Sequence, residues 1–93
     1  MSLEELVSKY MRSAERALSE LKVVVNSLTI SVNDVRRVVD SAKAYLYDAE
    51  YYRDRKRFEV SLASVAYCEG LLDALKMLGA VEFEWVREKR NEK

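Results

Sequence analysis

The chain has no histidine, no proline, two glycines and one cysteine in 93 residues. Each shortage excludes something. Without histidine there is no Ser-His or Cys-His nucleophile pair and no imidazole metal ligand. The arginine-to-histidine signature of the helical ribonucleases found in prokaryotic toxins is also missing. A lone cysteine, Cys68, cannot close an internal disulfide, which suits a reducing, cytoplasmic setting. No glycine-rich phosphate loop exists. Sixteen basic and sixteen acidic residues cancel to a formal charge of +0. The basic excess of a dedicated nucleic-acid or membrane-surface protein is therefore absent. No run approaches the roughly 20 apolar residues of a membrane span. The acidic start, Met1 to Glu5, lacks the apolar core of a signal peptide.

What remains is a helix former's alphabet. Hydrophobic residues make up 49% of the chain, enough to exclude a disordered one. With so few breakers, the expectation is an almost entirely helical domain over residues 1–86, followed by a charged tail over 87–93.

Helix one is expected from about Leu3 to Val25. Ser2 and Glu5 have the spacing of a capping box. Leu3, Leu6, Val7, Tyr10, Ala14, Ala17, Leu18, Leu21 and Val24 recur at threes and fours as one apolar stripe. Asn26 to Ile30 reads as a short connection. Ser31 resembles a second N-cap, with Asp34 placed for the positive end of a helix over Val32 to Arg55. That helix carries the core stripe Val35, Val38, Val39, Ala42, Tyr45, Leu46, Ala49 and Tyr52.

Arg53 to Arg57 has no glycine or proline, so a turn there is inferred from a change of apolar phase. A single rod from Val32 to Leu78 would span about 70 Å, too long for so small a chain to cover. Helix three is expected from Phe58 to Leu78, with Gly79 as its cap. It carries two apolar stripes. One is Phe58, Leu62, Val65, Cys68, Leu72 and Leu75. The other is Val60, Ala63, Tyr67, Leu71, Ala74 and Leu78. Such a helix needs cover on more than one side. After it, Val81, Phe83 and Trp85 alternate with Glu82 and Glu84. This suits an extended segment, an edge strand or a fourth short helix. Matched helix lengths and short connections predict an all-α, up-down-up three-helix bundle.

Two runs are unusually particular. Ala42, Tyr45, Asp48, Ala49, Tyr51 and Tyr52 form the first; Tyr67, Gly70, Leu71, Leu72, Asp73, Ala74, Leu78 and Gly79 form the second. Together they resemble the archaeal family catalogued as domain of unknown function 357. The Val-Glu-Phe that follows resembles it too. The likeness is strong in the second half and positional in helix one. One departure stands in the turn. The family often has Gly-Asp where this chain has Lys56-Arg57, which bears on turn geometry. The resemblance implies a small, mainly helical fold without an assigned activity. Similar domains attached to nucleotidyltransferase-like domains imply a helper or scaffold role.

The candidate chemistry is sparse. Cys68 without histidine reads as a small core residue rather than a nucleophile. Asp48 and Asp73 each precede an alanine on a helix. They are read as a structural polar pair, with two alternatives. They would share a proton or a divalent ion, or they would bond to Tyr45, Tyr51 or Tyr67 and fix the register. Tyr47 and Tyr51 point to the flanks and, with Phe83 and Trp85, are candidates for an interaction surface. Arg53, Arg55, Lys56 and Arg57 place net +3 at the hairpin tip once Asp54 is counted. They are candidates for an anion or nucleic-acid patch, or for cations at a helix C-terminus.

The expected function is a non-enzymatic protein-interaction or scaffold module, without catalytic residues, metal or cofactor. It would self-associate, as a dimer first of all, or dock on a protein partner. The alternatives are an RNA- or nucleotide-associated domain using the basic tip, and a carboxylate metal site at Asp48 and Asp73.

Overall fold

A computed structural model describes residues 1–86. The charged tail expected over 87–93 lies outside these. The fold is all-α: α1 spans Leu3–Glu20, α2 Val32–Asp54 and α3 Phe58–Met77, with no strand among the described residues.

Both predicted N-caps form. Ser2 Oγ accepts from the Glu5 amide at 3.1 Å, and Glu5 returns the bond to the Ser2 amide at 3.0 Å. These bonds hold the Glu5 carboxyl below its ordinary pKa. Ser31 and Asp34 repeat the box on α2. Each satisfies donors that a helix start leaves unpaired.

The first helix stops five residues short of expectation. Its C-cap, Leu21, is extended at φ −62°, ψ 135°. Val23, Val24 and Val25 follow, and three consecutive β-branched residues lose rotamer freedom in a helix. The connection therefore grows to Leu21–Ser31, with Val23 and Val24 about 84–85% exposed.

α2 and α3 form a closely packed antiparallel hairpin. Small residues make the seam. Ala42 and Ala49 on α2, with Cys68 and Leu75 on α3, are the buried hydrophobic residues. Each pair is spaced by seven, the repeat that keeps a seam facing its partner. The Ser61 hydroxyl donates to the Ala49 carbonyl across the seam at 2.6 Å. Tyr45 and Tyr67 stack with centroids 4.3 Å apart. These two contacts set the register, and it places Ala42 level with Cys68. Burial pushes the Cys68 thiol pKa up, with the nearby Glu69 carboxylate adding to it. Most of the expected α2 stripe is buried or half-buried; Leu46 lies at the margin, exposed.

The turn is tight. Lys56 donates to the Arg53 carbonyl at 2.9 Å and Arg57 to the Tyr52 carbonyl at 2.9 Å. This bond pair is a Schellman motif, and it puts Lys56 in the left-handed region at φ 61°. The end of α3 repeats it: Gly79 donates to Lys76 and Ala80 to Leu75, with Gly79 at φ 74°. The two turns differ in that a lysine occupies the position where glycine costs nothing. Arg57, the N-cap of α3, makes no side-chain capping bond. Glycine for the positive φ and aspartate for the cap are what this geometry favours.

α1 does not share the hairpin's close packing. It has no buried residue. Its N-terminal half leans toward the start of α3 and leaves an open cleft between them. Phe58 and Leu62 of the first α3 stripe, and Ala63, Tyr67, Ala74 and Leu78 of the second, stay exposed. The molecule is correspondingly extended. Its radius of gyration is 16.4 Å, against about 12 Å for a compact domain of this length.

Candidate interaction surface

The basic tip is occupied with its own residues. The Arg55 guanidinium lies 3.5 Å from the centroid of Tyr51 and bonds the Tyr51 carbonyl at 3.4 Å. Arg57 sits 5.8 Å from the Tyr52 ring. Arg53 pairs with Asp54 at 3.2 Å. Tyr51 and Tyr52 meet edge to face at 5.2 Å. Arg55 and Arg57 thus lie over aromatic faces, where the ring quadrupole attracts them, at the end of α2. Tyr47 remains 69% exposed on the flank of α2.

Asp48 and Asp73 are not brought together. In the observed register Asp73 is level with residues 37–39 of α2. That is about ten residues, or roughly 15 Å, along the helix from Asp48. Asp73 instead accepts the Trp85 indole N–H at 2.7 Å. Asp48 is exposed. The expected polar pair is therefore replaced by Asp73 with Trp85. An antiparallel hairpin would set the two aspartates level only in a register about ten residues away from the one that Ser61–Ala49 and Tyr45–Tyr67 fix. Among the described residues no cluster of three or more Cys, Asp or Glu side chains is arranged to hold a metal ion.

The segment from Val81 to Val86 is neither strand nor helix. Val81, Phe83 and Trp85 are half-buried while Glu82 and Glu84 are exposed, as the alternation predicts. Phe83 meets Trp85 edge to face at 4.9 Å, and Lys76 Nζ lies 4.9 Å from the Phe83 ring. Lys76 also pairs with Glu84 at 3.7 Å. Phe83 and Trp85 thereby lie as a strap along α3, tied by Lys76 and Asp73.

One apolar feature was not singled out from sequence. It is the cleft of about 730 Å³ between α1 and α3, lined by Leu3, Leu6, Val7, Tyr10, Val60 and Ala63 among others. Arg57 and Glu59 stand at its edge. The signal was present: both walls are apolar stripes at helical spacing. The sequence reading asked for cover on more than one side of α3 without saying which stripe α1 would meet. The structure leaves the two walls apart.

A helical hairpin with an open apolar flank defines a small all-α domain. The chain belongs to a family of proteins of unknown function, DUF357, whose description matches residues 9–81. The matched stretch takes in the hairpin, both sequence runs and most of α1. No curated protein and no solved structure matches it. No described helix is long and apolar enough to cross a membrane.

Proposed function

We propose that this chain is a non-enzymatic interaction module whose docking surface is the α1–α3 cleft. One observation carries this reading: two apolar helix faces stand open to solvent around a cleft of about 730 Å³. Tyr10 and Leu18 on α1 are 66% and 72% exposed. An apolar surface this extensive on a small chain marks an association site. Burial of the two stripes supplies the affinity, and the charged residues at the edge supply orientation.

Capture of a tagged chain from cells that make it, beside a Leu6→Asp/Tyr10→Asp variant, tests the reading. A bound protein, whether another copy or a different chain, is expected with the wild type and lost with the variant. A set of bound proteins unchanged by the two substitutions refutes it.

A further inference from the structure

We infer that the occupant of the α1–α3 cleft is a second copy of this chain, its α1 lying antiparallel on the first copy's α1 and against the second stripe of α3. The inference rests on the docking reading above and names its partner.

Area supports it. The accessible surface is 8731 Å², against about 5,500 Å² for a compact monomer of 10.8 kDa. The excess of roughly 3,000 Å² per chain, about 6,000 Å² over two copies, exceeds the about 2,000–5,000 Å² that an obligate homodimer buries in total, so one two-fold interface fits within it.

Shape agrees. Beyond Ala63, the exposed positions Tyr67, which stacks on Tyr45 of α2, Gly70 and Ala74 follow at helical spacing along α3. An added Cβ at Gly70 would meet nothing within 4 Å in the single chain. A glycine inside an exposed helix costs about 1 kcal/mol against alanine. Close approach of another helix gives that residue a use that its own chain does not.

Charge supplies the orientation. The first turn of α1 is acidic, with Glu4 and Glu5. Lys9, Arg12 and Arg16 follow, offset by Glu15. Laid antiparallel with Tyr10 near the two-fold axis, each Glu4 comes level with the other copy's Arg16, which within its own chain pairs with Glu20, and each Glu5 comes level with Glu15. A self-complementary patch of this kind is what a two-fold interface requires. The extended connection from Leu21 to Ile30 reaches about 33 Å at full stretch. It leaves α1 free to take this position without moving the hairpin.

Sedimentation equilibrium on the full chain reads the mass, expected at twice 10.8 kDa. Leu6→Asp should halve it while circular dichroism shows the hairpin helices intact. In a Cys68→Ala background, Tyr10→Cys should be joined between chains by a short bismaleimide, and Tyr47→Cys should not. Glu4→Lys and Arg16→Glu should each weaken the dimer severalfold and together restore it. A compact monomer, with α1 closed on its own α3 and a radius of gyration near 12 Å in solution, overturns the inference. So does a dimer insensitive to Leu6→Asp, a Tyr10→Cys that stays uncrosslinked, or a charge pair that does not restore. A monomer that still captures a different protein through Leu6 and Tyr10 overturns this inference alone and leaves the docking reading standing. A monomer that captures nothing ends both.

Discussion

Lys56 and Gly79 occupy the same position in two copies of one turn, and that allows a paired test. Both residues follow a helix C-cap at positive φ, 61° and 74°. Both donate to a carbonyl three residues back, at 2.9 and 3.0 Å. For a residue with a Cβ, the left-handed region costs about 1–2 kcal/mol. Glycine removes that cost but loses about 0.5–1 kcal/mol more through the entropy of the unfolded chain. The net gain for Lys56→Gly is therefore about 0.5–1 kcal/mol. In a chain of this size that raises the melting temperature by several degrees, at about 4–8 °C per kcal/mol. Gly79→Ala should shift stability the other way by a similar amount. Lys56→Ala separates geometry from charge. It removes the same cation from the Arg53–Arg57 cluster but keeps the Cβ, so it should not reproduce the gain. Urea and thermal melts followed by far-UV circular dichroism, at one fixed protein concentration, read all three. A Lys56→Gly variant no more stable than Lys56→Ala would refute the reasoning and show the lysine at φ 61° to be unstrained.

Ser61→Ala removes a hydroxyl bond across the seam, the 2.6 Å contact to Ala49. It should cost about 1 kcal/mol in the same urea melts. Asp73→Ala should remove the 2.7 Å bond that the Trp85 indole N–H donates. Trp85 is the one tryptophan, so its fluorescence should move to longer wavelength while helicity holds; unchanged emission would contradict a strap tied at Asp73. The Cys68 thiol, pushed up by burial, should label slowly with iodoacetamide in native buffer and quickly in urea. Because its folded pKa lies above the unfolded one, stability should fall as pH rises past the unfolded thiol's value, about 8.5; flat alkaline stability in the wild type would count against a buried thiol. Glu5 has the opposite sign. Its folded pKa is lowered, so the α1 cap should weaken only as pH falls through that value, read by carboxyl NMR shifts against Ser2→Ala.

The secondary structure was largely legible because its causes are local. Ser2 with Glu5 and Ser31 with Asp34 carry their capping partners within three residues, and both boxes formed as spaced. Gly79 ended α3 for a reason internal to one residue. The end of α1 was misjudged where two local signals competed: the apolar stripe runs on to Val24, but three β-branched valines stop the helix at Glu20. The strap was legible in its alternation, though not in what it grips.

By itself, then, the sequence determined helices, caps, the hairpin turn and family membership, since these depend on neighbours a few residues apart. Tertiary structure alone decided which apolar face meets which. Periodicity states that a face is apolar and is silent about its cover. That is why the sequence asked for cover on more than one side of α3 without saying which stripe α1 would meet; the two stand open around a cleft. The same holds for the polar groups. Asp48 and Asp73 looked equivalent as Asp-Ala steps, and only the antiparallel register, set by Ser61 on Ala49 and Tyr45 on Tyr67, left Asp48 in solvent and gave Asp73 to Trp85.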